Sequence, residues 1–160
     1  MALFDDAGEA NVARAVSLVE QTIAALGVDP SVARVKTADG SHGFSLKRGS
    51  ASILVAICPS LEGASEGTLR VIAPVIHLPA PARHAALFRW LLEANAKELV
   101  GQAFAVLGEE VVLVSERSLR DLDASEVEHV VRAVGRAADR FDDLLAKEYD
   151  TIRASEPRAR

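Results

Sequence analysis

Residues 85 to 150 read almost without a gap as helix, tight hairpin and helix, and that run limits the possible folds more than any other feature. A greasy helix (LFRWLLEANAKEL) leads into two short alternating strands, QAFAVL and EVVLVSE. Between them Gly108-Glu109 reads as a two-residue loop, and glycine in first place suits a type II′ turn. A polar corner follows, and Ser125 with Glu128 has the spacing of a capping box, in which each side chain satisfies a free backbone N–H of the other residue. The last helix then gathers Val127, Val130, Val131, Val134, Ala138, Phe141 and Leu145 on one face. Such a run specifies a fold and an association surface. It carries no motif that names a reaction.

The front of the chain supplies the remaining elements. Val12, Val16, Val19, Ile23 and Leu26 recur at fours and threes, which predicts a helix from about Asn11 to Leu26, with Asn11 as N-cap and Gly27 as its left-handed end. Residues 31 to 79 read as three strands, FSLKR, SILVAI and TLRVIAPVIHL. Gly40 and Gly43 break the chain ahead of them around a turn signal at Asp39-Gly40-Ser41, and the strands are separated by Gly49 and by a loop from Pro59 to Gly67. Short connections make them sequential and antiparallel. The second and third are apolar on both faces, as in strands covered on both sides. Pro74 has no N–H for a ladder, so the third strand is expected to be an edge or to bulge there. Pro79 and Pro81 open the second helix, which is expected to end near Val100 and Gly101. The expected fold class is α+β, an antiparallel sheet of about five strands with three helices in the order α-β-β-β-α-β-β-α. One domain is expected over residues 1–150, with a loose polar tail over 151–160.

Composition removes several functions. The 160 residues carry a formal net charge of -5, which leaves no basic patch for nucleic acid or an anionic membrane. A single cysteine, Cys58, excludes an internal disulfide. The N-terminus has acids where a secretion signal needs basic residues, and no stretch reaches the length of a membrane span, so a cytoplasmic protein is expected.

The chemical candidates are weak. Cys58 with His77 on the next strand suggests a nucleophile, but nothing in the sequence lowers the thiol pKa, and a small buried residue before Pro59 is the better reading. His42, His77, His84 and His129 lack ligand spacing, so no metal is expected. Asp139, Asp142 and Asp143 alternate with Arg136, Arg140 and Lys147 at helical spacing, the pattern of a solvated, ion-paired face. GSHG and GSAS lack the strand-before, helix-after setting of a phosphate loop. No cofactor is expected. On the second helix Leu87, Phe88, Leu91, Leu92 and Leu99 fill one apolar arc, and Trp90 falls outside it near Arg83, Ala94 and Lys97. A large aromatic on that flank is an anchor for association unless a loop or strand of the same chain covers it. The expected interface residues are Trp90, Arg89, Ala94 and Lys97 on this helix, with Pro74 and Ile76 on the disturbed strand. Asn95 lies inside the apolar arc and is expected to bond backbone of the following hairpin.

With these elements placed, the chain resembles the YbjN family, whose members share the fold of type III secretion chaperones related to the Tir chaperone. The resemblance rests on GSASILVAI (49–57), VIAPVIHLP (71–79), LFRWLLEANAKELVGQAFAVLGEEVVLVSE (87–116) and LDASEVEHVVRAVGRAADRFDDLL (122–145), about two-thirds of the chain. It implies the same element order and a small acidic homodimer that binds protein segments without catalysis. The functional expectation is therefore a non-enzymatic, chaperone-like or regulatory homodimer that binds a partner polypeptide. The rival is a small-ligand or enzymatic protein with a pocket between sheet and helices, for which only His77 and Cys58 offer polar groups.

Overall fold

Alternation along residues 42 to 58 and 68 to 77 is strong enough to build the middle of the sheet. In the computed structural model, which describes residues 2–37, 41–59 and 67–157 with side chains from residue 8 onward, these runs are strands β2 (His42–Arg48), β3 (Ala51–Cys58) and β4 (Thr68–His77). A short strand β1 (Arg34–Lys36) pairs antiparallel with β2, Val35 opposite Gly43. The hairpin forms as read: β5 (Ala103–Leu107) and β6 (Glu110–Ser118) pair antiparallel, and Leu107 faces Glu110 across the turn. Gly108 has φ +59°, the left-handed first position that a type II′ turn requires. All six strands join one sheet in the order β1-β2-β3-β4-β6-β5.

Four helices accompany them. Helix α1 spans Ala2–Ala25, α2 is one turn at Pro30–Ala33, α3 runs His84–Lys97 behind a 3-10 turn at Pro81–Arg83, and α4 spans Ala124–Glu148. The α+β class and the element order stand, with one strand and one helical turn more than expected. Both additions are short, and β1 is exposed at all three positions, so no apolar period announces it.

The chain divides into two compact units. The first combines residues 1–46, 54–71 and 116–131. Its buried side chains include Val19, Ile23, Phe44, Val55, Leu69, Leu119 and Val127. Arg14 Nη2 donates to the Leu119 carbonyl at 3.0 Å, and the Arg34 guanidinium lies over the Phe44 ring. The second unit combines residues 47–53, 72–115 and 132–160 around Ile53, Leu87, Leu113, Phe141 and Leu145.

Several expectations are corrected. Asn11 is no cap, because α1 begins nine residues earlier; Gly27 does end the helix, with φ +86°. Gly43 sits inside β2 rather than breaking it, and a Cβ there would meet the Val35 and Thr37 side chains at 2.9 Å. The turn signal at Asp39 and Gly40 and most of the Pro59–Gly67 loop lie outside the described residues. Strand β4 is not an edge at Pro74: it lies between β3 and β6. Of the expected loose tail, residues 151–156 are bonded. His77 N donates to Ile152 O at 3.1 Å and Ala154 N to Val75 O at 3.0 Å, so the segment is tied to the end of β4.

Candidate functional site

Strand β5 closes one end of the sheet order, so among the described residues no strand pairs with its outer side. Natural edge strands are usually blunted by a charge, a proline or a bulge. This one reads AFAVL, with no charge and no proline, and Val106 and Leu107 are 46% and 60% exposed. The opposite edge, β1, reads RVK and carries two cations.

Helix α3 packs against β5. It buries Leu87, Leu91 and Ala94, and its outer side carries Arg89, Glu93 and Lys97 at four-residue spacing. Glu93 accepts from Lys97 Nζ at 3.2 Å and from Arg89 Nε at 3.0 Å, and these bonds, that to Lys97 first, hold its carboxyl below the usual range. Leu92 on the helix and Val100 just beyond it are 69% and 90% exposed. Asn95 fixes the strand to the helix: its Oδ1 accepts from Phe104 N at 2.7 Å and its Nδ2 donates to Phe104 O at 3.3 Å. The hairpin backbone is the partner expected for this amide. Nearby, Ser115 Oγ donates to Gly101 O at 2.6 Å, and Gln102 Oε1 is buried with no hydrogen-bond partner among the described residues.

The expected interface residues fall in different places. Trp90 is half-buried, with its ring 6.0 Å from Phe104 and 5.8 Å from Phe141, and those two rings are 5.3 Å apart. The indole therefore packs within its own chain, as edge and tilted contacts favour, and Leu92 takes the outward position. Arg89 and Lys97 are exposed, and Ala94 is buried. Pro74 is half-buried and Ile76 fully buried, so neither offers a free surface. What sequence reasoning missed is the bare edge at Val106 and Leu107. The absence of any charge from AFAVL was the available signal.

The residues considered for chemistry are also placed. Cys58 is half-buried beside Gly67 at the start of β4, whereas His77 ends that strand. His77 Nδ1 lies 3.6 Å from Glu110 Oε1, and Nε2 lies 3.1 Å from Glu156 O. Asp142 does not belong to a solvated face: it is 4% exposed, and its Oδ2 accepts from Ser50 Oγ at 2.5 Å. Asp139 Oδ1 lies 3.3 Å from the same hydroxyl, and Asp143 is exposed. The cap of α4 is Asp123 rather than Ser125. Asp123 Oδ1 accepts from Glu126 N at 2.9 Å, and Glu126 Oε2 accepts from Asp123 N at 3.3 Å. Among the described residues no group of three or more His, Cys, Asp or Glu side chains stands close enough to hold a metal ion. No helix among them is long and apolar enough to cross a membrane.

Two solved protein complexes share this fold. The ExsC–ExsE complex is similar at a TM-score of 0.57 with 14% identity, over 84% of this chain and 95% of that one. The HopA1–SchA chaperone–effector complex is similar at 0.54 with 11% identity, over 79% and 91%. The Yersinia pestis type III secretion chaperone SycH, in complex with a stable fragment of YscM2, gives 0.48 with 15% identity, over 78% and 96%. The chain itself belongs to the YbjN family, whose model, described as "Putative bacterial sensory transduction regulator", matches residues 15–147. No curated protein matches the sequence.

Proposed function

We propose that this YbjN-family chain is a non-enzymatic protein-binding module: a chaperone-like or regulatory homodimer that takes up a partner polypeptide. The observation that carries the reading is the β5 edge, an uncharged five-residue strand with Val106 and Leu107 exposed, packed on a helix that leaves Leu92 bare. An edge of this kind favours pairing with another chain, since main-chain bonds supply attraction and exposed apolar side chains lose water on contact. A second copy suits it, because an uncharged strand meets itself across a two-fold axis without repulsion. The expected surface moves accordingly from Trp90, Ala94, Pro74 and Ile76 to Leu92, Val100, Val106 and Leu107, with Arg89 and Lys97 at its polar margin. Two proteins of like fold are solved in complexes, one of them a chaperone with its effector, which supports a polypeptide as the partner class.

The test is co-expression of two differently tagged copies, purification through one tag, and mass spectrometry of everything retained. The other tagged copy is expected in equal amount, with a further polypeptide in fixed ratio. Leu107→Lys is expected to lose the second copy while remaining folded. Retention of a small metabolite, with neither a second copy nor another polypeptide, would contradict the reading and favour a ligand-binding protein.

A further inference from the structure

The last residues of β4 hold a short backbone bridge that belongs to no hairpin. Ile76 and Arg153 face each other as an antiparallel bridge, flanked by the bonds from His77 N to Ile152 O and from Ala154 N to Val75 O. Thr151 Oγ1 donates to His77 O at 2.9 Å, and the His77 imidazole reaches the Glu156 carbonyl. Residues 152 to 154 thus meet β4 as the start of an added strand would, through main-chain groups that any extended peptide possesses, before Glu156 N closes a turn on Arg153 O at 3.0 Å.

Charged side chains add to these contacts. The Arg153 guanidinium reaches Asp143 on α4 at 3.4 Å and Glu156 at 2.6 Å. Asp143 is exposed, so this pair is weak and easily exchanged. Ile152, Arg153 and Ala154 are all half-exposed, and the segment forms one wall of an open cavity of about 460 Å³ that it shares with Asp143 and Lys147. It is part-exposed and held by the backbone and polar bonds given above, and attachments of that kind can open locally.

We propose that the end of β4 is a strand-addition site for an extended peptide bearing a basic residue opposite Asp143, and that the chain's own segment 151–156 keeps it closed. The choice of a basic peptide follows from charge: the seat offers Asp143 on α4 and Glu110 beside His77, and the resident segment places Arg153 against the first. The hydroxyl of Thr151 on the His77 carbonyl sets the register two residues earlier. The site lies apart from the β5 edge. Its service to a partner polypeptide rests on the protein-binding reading above, whereas its ability to accept a peptide does not.

The probe is a fluorescein-labelled peptide with the sequence TIRASEP, titrated by anisotropy into the full-length chain and into full-length Arg153→Glu. In the wild type the tethered segment competes at millimolar effective concentration. Saturable binding is expected to Arg153→Glu, at least about tenfold tighter than to the wild type. A peptide with glutamate in place of its arginine is expected to bind Arg153→Glu at least about tenfold more weakly. Amide exchange at His77 and Ala154 is expected to speed up in the variant and to slow when the peptide is added. Thr151→Val, which removes only the hydroxyl bond, should act in the same direction with unchanged melting temperature. Equal binding to wild type and variant, no binding to either, or indifference to the arginine overturns the site. A partner captured through co-expression without peptide binding overturns this site alone. Peptide binding without any captured partner overturns the partner reading and leaves the site standing.

Discussion

Asp142 carries more of the fold than its neighbours on α4. Its Oδ2 accepts from Ser50 and its Oδ1 from Asp143 N at 2.6 Å, so both oxygens are used while the carboxylate is shielded from water. Ser50 follows Gly49, whose φ of +56° and missing Cβ leave room for the Asp139 carboxylate. Asp142→Ala leaves the Ser50 hydroxyl only Asp139 at 3.3 Å and is expected to cost about 1 kcal/mol in urea unfolding, whereas Asp143→Ala should stay within about 0.5 kcal/mol. Charge spacing along α4 gave no way to tell these aspartates apart, because the β2–β3 turn that buries one of them is ninety residues away in sequence. The α4 cap was more legible than the Ser125–Glu128 spacing suggests. Asp123 and Glu126 fit the same template, and Leu122 with Val127, both buried, supply the apolar staple around it. A cap at Ser125 would have paired Ala124 with the exposed His129 instead. The Asp123 carboxyl is held below its usual range by the Ser125 hydroxyl first and by the Glu126 N–H next. A depressed folded-state value gives stabilisation that is complete above the unfolded value of about 3.9 and disappears as pH falls through the folded value. Thermal melts from pH 6 to pH 3 should therefore show a shallower acid loss for Asp123→Ala than for the wild type.

At the scale of elements, α3 and β5 form a pair joined by one side chain. Asn95 makes two bonds to Phe104, and its replacement by leucine leaves that N–H and C=O without their partner. Asn95→Leu is expected to cost about 2 kcal/mol, with faster amide exchange at Phe104 and no change at Val112. Part of this pair was readable from the sequence: the amide and the turn glycine serve as the pattern implied, and Leu87 and Leu91 of the apolar arc are buried. The rotation of α3 was not. A helical wheel ranks Leu92 with Leu87 and Leu91, but Phe104 and Phe141 come from other elements and draw Trp90 inward, leaving Leu92 outside. Strand β1 escaped for the opposite reason, since three exposed residues have no period to read. The C-terminal segment escaped because polar composition predicts freedom, while its attachment depends on main-chain groups that composition does not reveal.

For the whole molecule, the sequence defined a family and a fold while leaving chemistry blank, and the β5 edge is the apolar surface on which the proposed association rests. The net charge of -5 opposes random sticking between copies, and the proposed pairing runs through the uncharged strand. Sedimentation equilibrium at micromolar concentration tests this most directly, comparing the wild type with Leu107→Lys. The wild type is expected at twice the 17.0 kDa chain mass and the variant at 17.0 kDa, both with native circular dichroism. A wild type that sediments only as the 17.0 kDa species would contradict the account.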